Sequence, residues 1–370
     1  MRCTHQYRHS IKECPREAEE LGLCIFHLPF SGKNFEEAEL SGEDLEEAYL
    51  SGANLRGANL SNVNLRYADV SEGNLSGANL EWASLVGVDL SSAKLDGANL
   101  TNADIRNADL TGANLDEATL SFANLEGTSL IRASLNGAEL YGASLNGTNL
   151  LGADFRGARL YGAEFDGAKN VEHAIFDDIA VEEKEGDEFR KKKDFERAYD
   201  SYSKALEVYL DLKRIFRTKG LYDRASVYSV GEWRVRGKLQ LIASRVQNHS
   251  STRFLPLTGG GKLGVVEGTL RYVTNRLYGI TSLYGESPLR VLLTTVTIIL
   301  AYALIFCVSG TIRVGSPRDC LYFSIVTFTT VGYGDITPVP SHRLLAASEA
   351  FIGAFMLSFF VVVMSRKLIR

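Results

Sequence analysis

Residues 93–117 read AKLDGANLTNADIRNADLTGANLDE. A large apolar residue recurs every five positions, at Leu95, Leu100, Ile105, Leu110 and Leu115, and an alanine stands two residues before each. Working outward, the same spacing holds from Phe35 to Phe165. All 27 positions at that interval are apolar, and Ala fills 20 of the 26 positions two residues earlier, from 38 to 163. Asn, Asp, Ser or Glu usually lies between the two, and Gly often follows two after the apolar centre, as at Gly57, Gly77, Gly97 and Gly137. A period of five fits neither a helix nor a flat strand. Held over so long a stretch, it means a solenoid whose chain turns a corner every five residues.

The A-N-L-x-G pattern over residues 34–168 resembles the pentapeptide-repeat family. That resemblance implies a right-handed quadrilateral β-helix with four pentapeptides per coil, the coils stacked at about 4.8 Å, the spacing of neighbouring strands. Glu43 and Gly73 break the small-residue position, so the first coils are expected to be irregular. Some members of the family mimic DNA and bind topoisomerases. The acidic surface here reads either as a face for an unknown cytosolic protein or ligand, or as a solvated scaffold.

Charge divides the chain. Residues 31–180 carry 9 Lys and Arg against 24 Asp and Glu, whereas residues 181–370 carry 27 against 17, within a total net charge of −5. With 370 residues, two or three folded units in different surroundings are expected. The first 30 residues lack a charged stub followed by an apolar run, so the N-terminus is expected in the cytosol. Within them Cys3, Cys14, Cys24 and His27 have the residue types of a tetrahedral structural zinc site, with His5 and His9 competing for the fourth place. Five cysteines in all, three of them before residue 25, do not form a disulfide framework.

Residues 181–262 read as a helical hairpin and linker. Phe195, Ala198, Tyr202, Ala205, Tyr209, Leu212 and Phe216 line one face of a helix over 195–217, and a second helix is expected over 222–244. Residues 263–287 suit a helix lying on the membrane surface, apolar with Arg271 and Arg276.

Two apolar stretches, 289–308 and 344–364, are each long enough to cross a bilayer. Arg271, Arg276 and Arg290 precede the first, and Arg366, Lys367 and Arg370 follow the second, which puts both termini in the cytoplasm and residues 309–343 outside. Between them Asp319–Thr329 is apolar but only half a crossing long, as a re-entrant pore helix over 319–329 would be. It runs into Thr330-Val331-Gly332-Tyr333-Gly334-Asp335.

Within a domain read as 288–370, residues 288–366 resemble the pore domain of prokaryotic two-span potassium channels, and TVGYGD is similar to their filter. The resemblance implies that carbonyls of residues 330–334 replace the water around potassium ions, that four copies assemble into a homotetramer in the plasma membrane, and that Asp335, Tyr322 and Thr329 support the filter. Gly353 resembles a gating-hinge glycine. Val326 stands where many relatives have an acid, so filter bracing is expected to differ. Glu349 is an intramembrane carboxylate, read either as a functional acid or as a hydrogen-bonding partner of the pore helix. The chain thus reads as a multidomain potassium-channel subunit with a β-helical solenoid of regulatory or scaffolding role. The alternative is a membrane-tethered acidic binding module with a non-conducting pore. No catalytic constellation and no nucleic-acid partner is read from the sequence.

Overall fold

The computed structural model describes residues 32–246, 262–312 and 316–368. The chain divides into two compact units, Met1–Gly231 and Glu232–Arg370.

In the first unit each coil takes twenty residues up to the last bridge, Asp154↔Ile175, which spans 21. Parallel bridges link residue i to i+20 without interruption from Asn34↔Asn54 to Asn149↔Lys169. Each apolar centre donates its N–H to the coil above, as in Leu95 N→Asn114 O at 2.7 Å, and each corner closes on itself, as in Ala98 N→Leu95 O at 3.0 Å. The second corner residue sits in the left-handed region, from Gly32 (φ 75°) to Arg132 (φ 54°). Only glycine enters that region without steric cost, which explains the recurrent Gly; where it is absent, Asn62, Asn102 and Asn107 take the same conformation. The polar residue before each Leu fastens the corner, as Asn99 does by accepting from Thr101 N at 3.1 Å. Leu and Ala columns then fill the interior: Leu50 to Leu150 and the intervening alanines are almost wholly buried.

The expected irregularity of the first coils is not seen. The bridge register runs through Glu43 and Gly73 unchanged, and Gly73 N donates to Val70 O at 3.1 Å like any alanine at that position. Alanine itself is not required there: Glu43 is exposed at the equivalent position, and on Gly73 a Cβ would lie 2.8 Å from Val70 O.

Aromatic residues close the far end of the solenoid. Phe155 stacks on Phe176 at 5.0 Å, and Phe176 meets Phe216 edge-on at 5.9 Å. Three helices, rather than the two expected, follow: α1 (Val181–Lys191), α2 (Phe195–Thr218) and α3 (Tyr222–Val246). The sequence reading missed α1 because its residues, VEEKEGDEFRK, include only two apolar side chains, Val181 and Phe189. It is held by contact instead. The ring of Tyr202 fills the space over Gly186, where a Cβ would fall 2.6 Å away, and Tyr202 Oη donates to Asp187 at 2.6 Å. Tyr209 accepts from Ala180 N and donates to Glu183.

In the second unit α4 (Lys262–Ser282) presents Leu270, Val273, Leu277 and Ile280 outward. A turn through Leu283, Tyr284 and Gly285, all left-handed, leads to α5 (Pro288–Ser309), capped by Ser287 and closed by left-handed Gly310. Then come the short α6 (Pro317–Phe328) and α7 (Arg343–Leu368). α5 and the segment Pro340–Ser365 are long and apolar enough to cross a membrane. Their outward residues, among them Leu293, Leu300, Leu304, Phe351, Phe355 and Val361, are exposed in the single chain. So large an apolar surface requires lipid or further protein around it.

Glu182 gives a test of the cap. It is 4% exposed, and its Oε2 atom has no hydrogen-bond partner among the described residues. Burial pushes its carboxyl above the usual value, against the partial offset of Arg159. The folded state therefore holds this proton more tightly than the unfolded chain, and stability falls as pH rises from about 4.5 through the raised value. Glu182→Gln is expected to remove that decline and to raise the melting temperature near neutral pH. Circular dichroism melts of both proteins at about pH 5 and about pH 8 check this; a lower melting temperature for the variant at the higher pH would refute it.

Candidate functional site

One face of α6 does most of the anchoring. Cys320, Ser324 and Phe328 lie four residues apart, and so on one side of the helix, and each is buried. Cys320 is joined to Cys307 of α5 by a disulfide with a Cα–Cα distance of 5.7 Å. The expectation of no disulfide framework did not anticipate this single bond. Cys307 and Cys320 are only 13 residues apart, near the end of α5 and the start of α6; that placement was the available signal.

One turn further on, Ser324 Oγ lies 2.8 Å from the Ile299 carbonyl of α5 and also contacts the carboxyl of Glu349 on α7. A single hydroxyl thus joins three helices. The sequence reading found Glu349 but not Ser324, which looks like any small residue in an apolar helix. Glu349 is fully buried, and its Oε2 atom has no partner among the described residues.

At the last turn α7 comes so close that a Cβ on Gly353 would stand 1.9 Å from the Phe328 carbonyl oxygen. α7 runs through Gly353 without a break. In this arrangement the glycine is a point of close helix contact.

α6 begins at Pro317, two residues before its expected start, because Ser316 caps it: Asp319 N donates to Ser316 Oγ at 3.2 Å and Ser316 Oγ donates to Asp319 Oδ2 at 2.7 Å. It ends at Phe328, and Thr329 is its C-cap, with its hydroxyl turned back to Ile325 O at 2.7 Å. Past the cap, φ is positive at every second residue: 57° at Thr330, 53° at Gly332 and 78° at Gly334. Gly332 and Gly334 adopt this conformation freely, and the β-branched Thr330 does so at a cost on the order of 1–2 kcal/mol. Among the described residues no donor is bonded to the carbonyls of residues 330–334. All five residues are exposed in the single chain, so these carbonyls are open to water or to another partner. Tyr322 Oη donates to Asp335 Oδ2 at 2.7 Å, tying the residue after this segment back to α6. Val331 and Tyr333 are 54% and 72% exposed, so the segment lacks neighbours in a single chain.

Cys3, Cys14, Cys24 and His27 lie outside the described residues. Among the described residues no group of three or more His, Cys, Asp or Glu side chains could hold a metal ion.

Comparison with known proteins agrees with this division. Residues 292–370 match a family described as "Ion channel". Stretches at 30–66, 44–81, 74–112, 113–152 and 133–169 match pentapeptide repeats. The chain is 43% identical over 61 residues to "Two pore potassium channel a" of Oryza sativa subsp. japonica, covering 16% of this chain and 17% of that protein. It is 46% identical over 44 residues to "Protein LctB" of Geobacillus stearothermophilus, covering 12% and 33%. The chain therefore spans a third or less of the length of these curated relatives. Among solved structures it is similar to HetL, a pentapeptide repeat protein of Nostoc sp. strain PCC 7120, with 31% identity, a TM-score of 0.13, and 40% of this chain and 89% of that one covered.

Substituting Gly353 tests the helix contact. Gly353→Ala must push α7 away from the Phe328 carbonyl, and overpacking of this kind costs about 1–3 kcal/mol or more. A melting temperature several degrees below the parent is expected for the purified protein; an unchanged value would show that the contact is slack. The repeats and the domain at the other end together describe the molecule: this chain carries an ion-channel domain and, in the same polypeptide, pentapeptide repeats.

Proposed function

We propose that the chain is one subunit of a potassium-selective channel, four copies of which surround a single conduction path in the plasma membrane. The observation that carries this reading is the run of unbonded carbonyls at residues 330–334, set by alternating left-handed residues at the end of a half-length helix between two apolar helices. A dehydrated potassium ion needs a cage of oxygens in place of water. One chain offers a single edge of such a cage, and four related by a central axis would close it. The C-terminal end of α6 leads into this segment, and the negative end of a helix dipole favours a cation beyond it.

The other residues take supporting parts in this reading. Asp335 and Tyr322 hold the outer end of the filter to α6, and Thr329 ends the helix at the point where the filter must begin. Gly353 lets α7 approach the filter from behind, or serves as the hinge on which α7 bends. Glu349 fixes the register of α6 between its neighbours. The basic residues place both termini in the cytoplasm, so that the solenoid acts there as a regulatory or scaffolding element, and α4 rests its apolar stripe on the inner membrane surface. Cys3, Cys14, Cys24 and His27 are proposed to hold a structural zinc; elemental analysis finding much less than one zinc per chain would end that proposal.

Flux through liposomes separates the channel from a tethered binding module. The purified protein is expected to release potassium at a rate well above that of sodium, and Gly332→Ala is expected to abolish the flux while the protein still inserts. Equal rates for the two ions would defeat the selectivity, and no flux at all would leave the binding module.

A further inference from the structure

We propose that the Cys307–Cys320 disulfide is a thiol-exchange site that locks the first turn of α6 to the outer end of α5, and that low-molecular-weight thiols are the reactants that open it. The two sulfurs differ in access. Cys307 is exposed in the single chain, two residues before the end of its helix. Cys320 is 1% exposed and packed among Phe306, Ile312, Phe323 and Ala346. An incoming thiolate therefore meets the sulfur of Cys307.

The step balances as ordinary exchange. The thiolate forms a bond to Cys307 Sγ, the Cys307–Cys320 bond breaks, and its electron pair leaves on Cys320 Sγ, which takes a proton from solvent. A second thiolate attacks the mixed disulfide and leaves Cys307 as a thiol. Two small thiols are oxidised to one disulfide while the protein cystine is reduced, and a small disulfide reverses the sequence. An anionic sulfur among apolar side chains is poorly solvated, so the bond yields to excess thiol and not to traces.

The position gives the lock its effect. Of the anchors on one face of α6, the disulfide holds the first turn, Ser324 the middle and Phe328 the end. Opening it leaves the other two in place, so the helix is loosened and not released. The loosened turn lies beside Tyr322, whose hydroxyl holds Asp335 at 2.7 Å. The residue after the filter segment thereby becomes less well held. The bond also agrees with the orientation read from the basic residues. Cytosolic thiols keep cysteines reduced, so a stable disulfide belongs on the opposite side of the membrane.

The effect on conduction rests on the channel reading; the bond itself does not. Full-length protein purified without reductant would be alkylated in denaturant, digested and mapped by mass spectrometry. Residues 307 and 320 are expected in one cross-linked peptide, which excess dithiothreitol abolishes. In liposomes, glutathione added outside is expected to lower potassium efflux from the parent protein and to leave the C307S/C320S double variant unaffected. Alkylation of both cysteines before reduction would overturn the bond, and an efflux indifferent to its reduction would overturn the control. If the untreated protein conducts nothing, the channel reading fails and the lock is judged by melting temperature. Reduction must then lower it in the parent and not in the double variant, and an unchanged value would overturn the lock.

Discussion

Both units depend on one backbone constraint: residues held in the left-handed region at a fixed interval. In the solenoid the interval is five, and each such residue turns a corner that sends Leu and Ala inward while the flanking N–H and C=O groups bond to adjacent coils. In the segment after α6 the interval is two, and the outcome is the reverse. There the carbonyls of residues 330–334 are left without partners from the described residues. The same conformational step saturates the backbone in one setting and exposes it in the other.

The segment after α6 is held from behind by side-chain packing. α6 is too short to be stable alone. It is fixed on one face by a covalent bond, a shared hydroxyl and a contact that admits no Cβ. Ser316 fixes where it starts, and the close approach of α7 at Gly353 fixes how near it lies to the second span. The strained Thr330 follows directly from the last of these anchors, which is where a sparsely populated conformation can be maintained.

Much of this was legible in the sequence because it repeats or is periodic. The five-residue spacing gave the solenoid, its limits and its buried columns, since each coil buries the same two residues. Unbroken apolar length gave the two long helices, and a half-length apolar run before TVGYGD gave α6 to within two residues. What was missed lacks a period. α1 has only two apolar side chains and is held by Tyr202 over a glycine. Ser324 acts through contacts with residues 25 positions away on either side. Cys307 and Cys320 become neighbours only once α5 and α6 are packed. The irregular coils expected at Glu43 and Gly73 did not appear, because the register is set by the main chain, and a side chain at that place need only be small or able to point outward.

The uniform register of the solenoid has an evolutionary consequence. Each coil pairs with the ones before and after it, and from Asn34 to Lys169 the columns repeat after twenty residues. Gain or loss of four whole pentapeptides would lengthen or shorten the stack and leave each face as it was. A change of one, two or three pentapeptides would instead rotate everything downstream by quarter turns, presenting a different side of the stack to whatever it meets. Length in such an element varies in quanta, and orientation is coupled to the remainder.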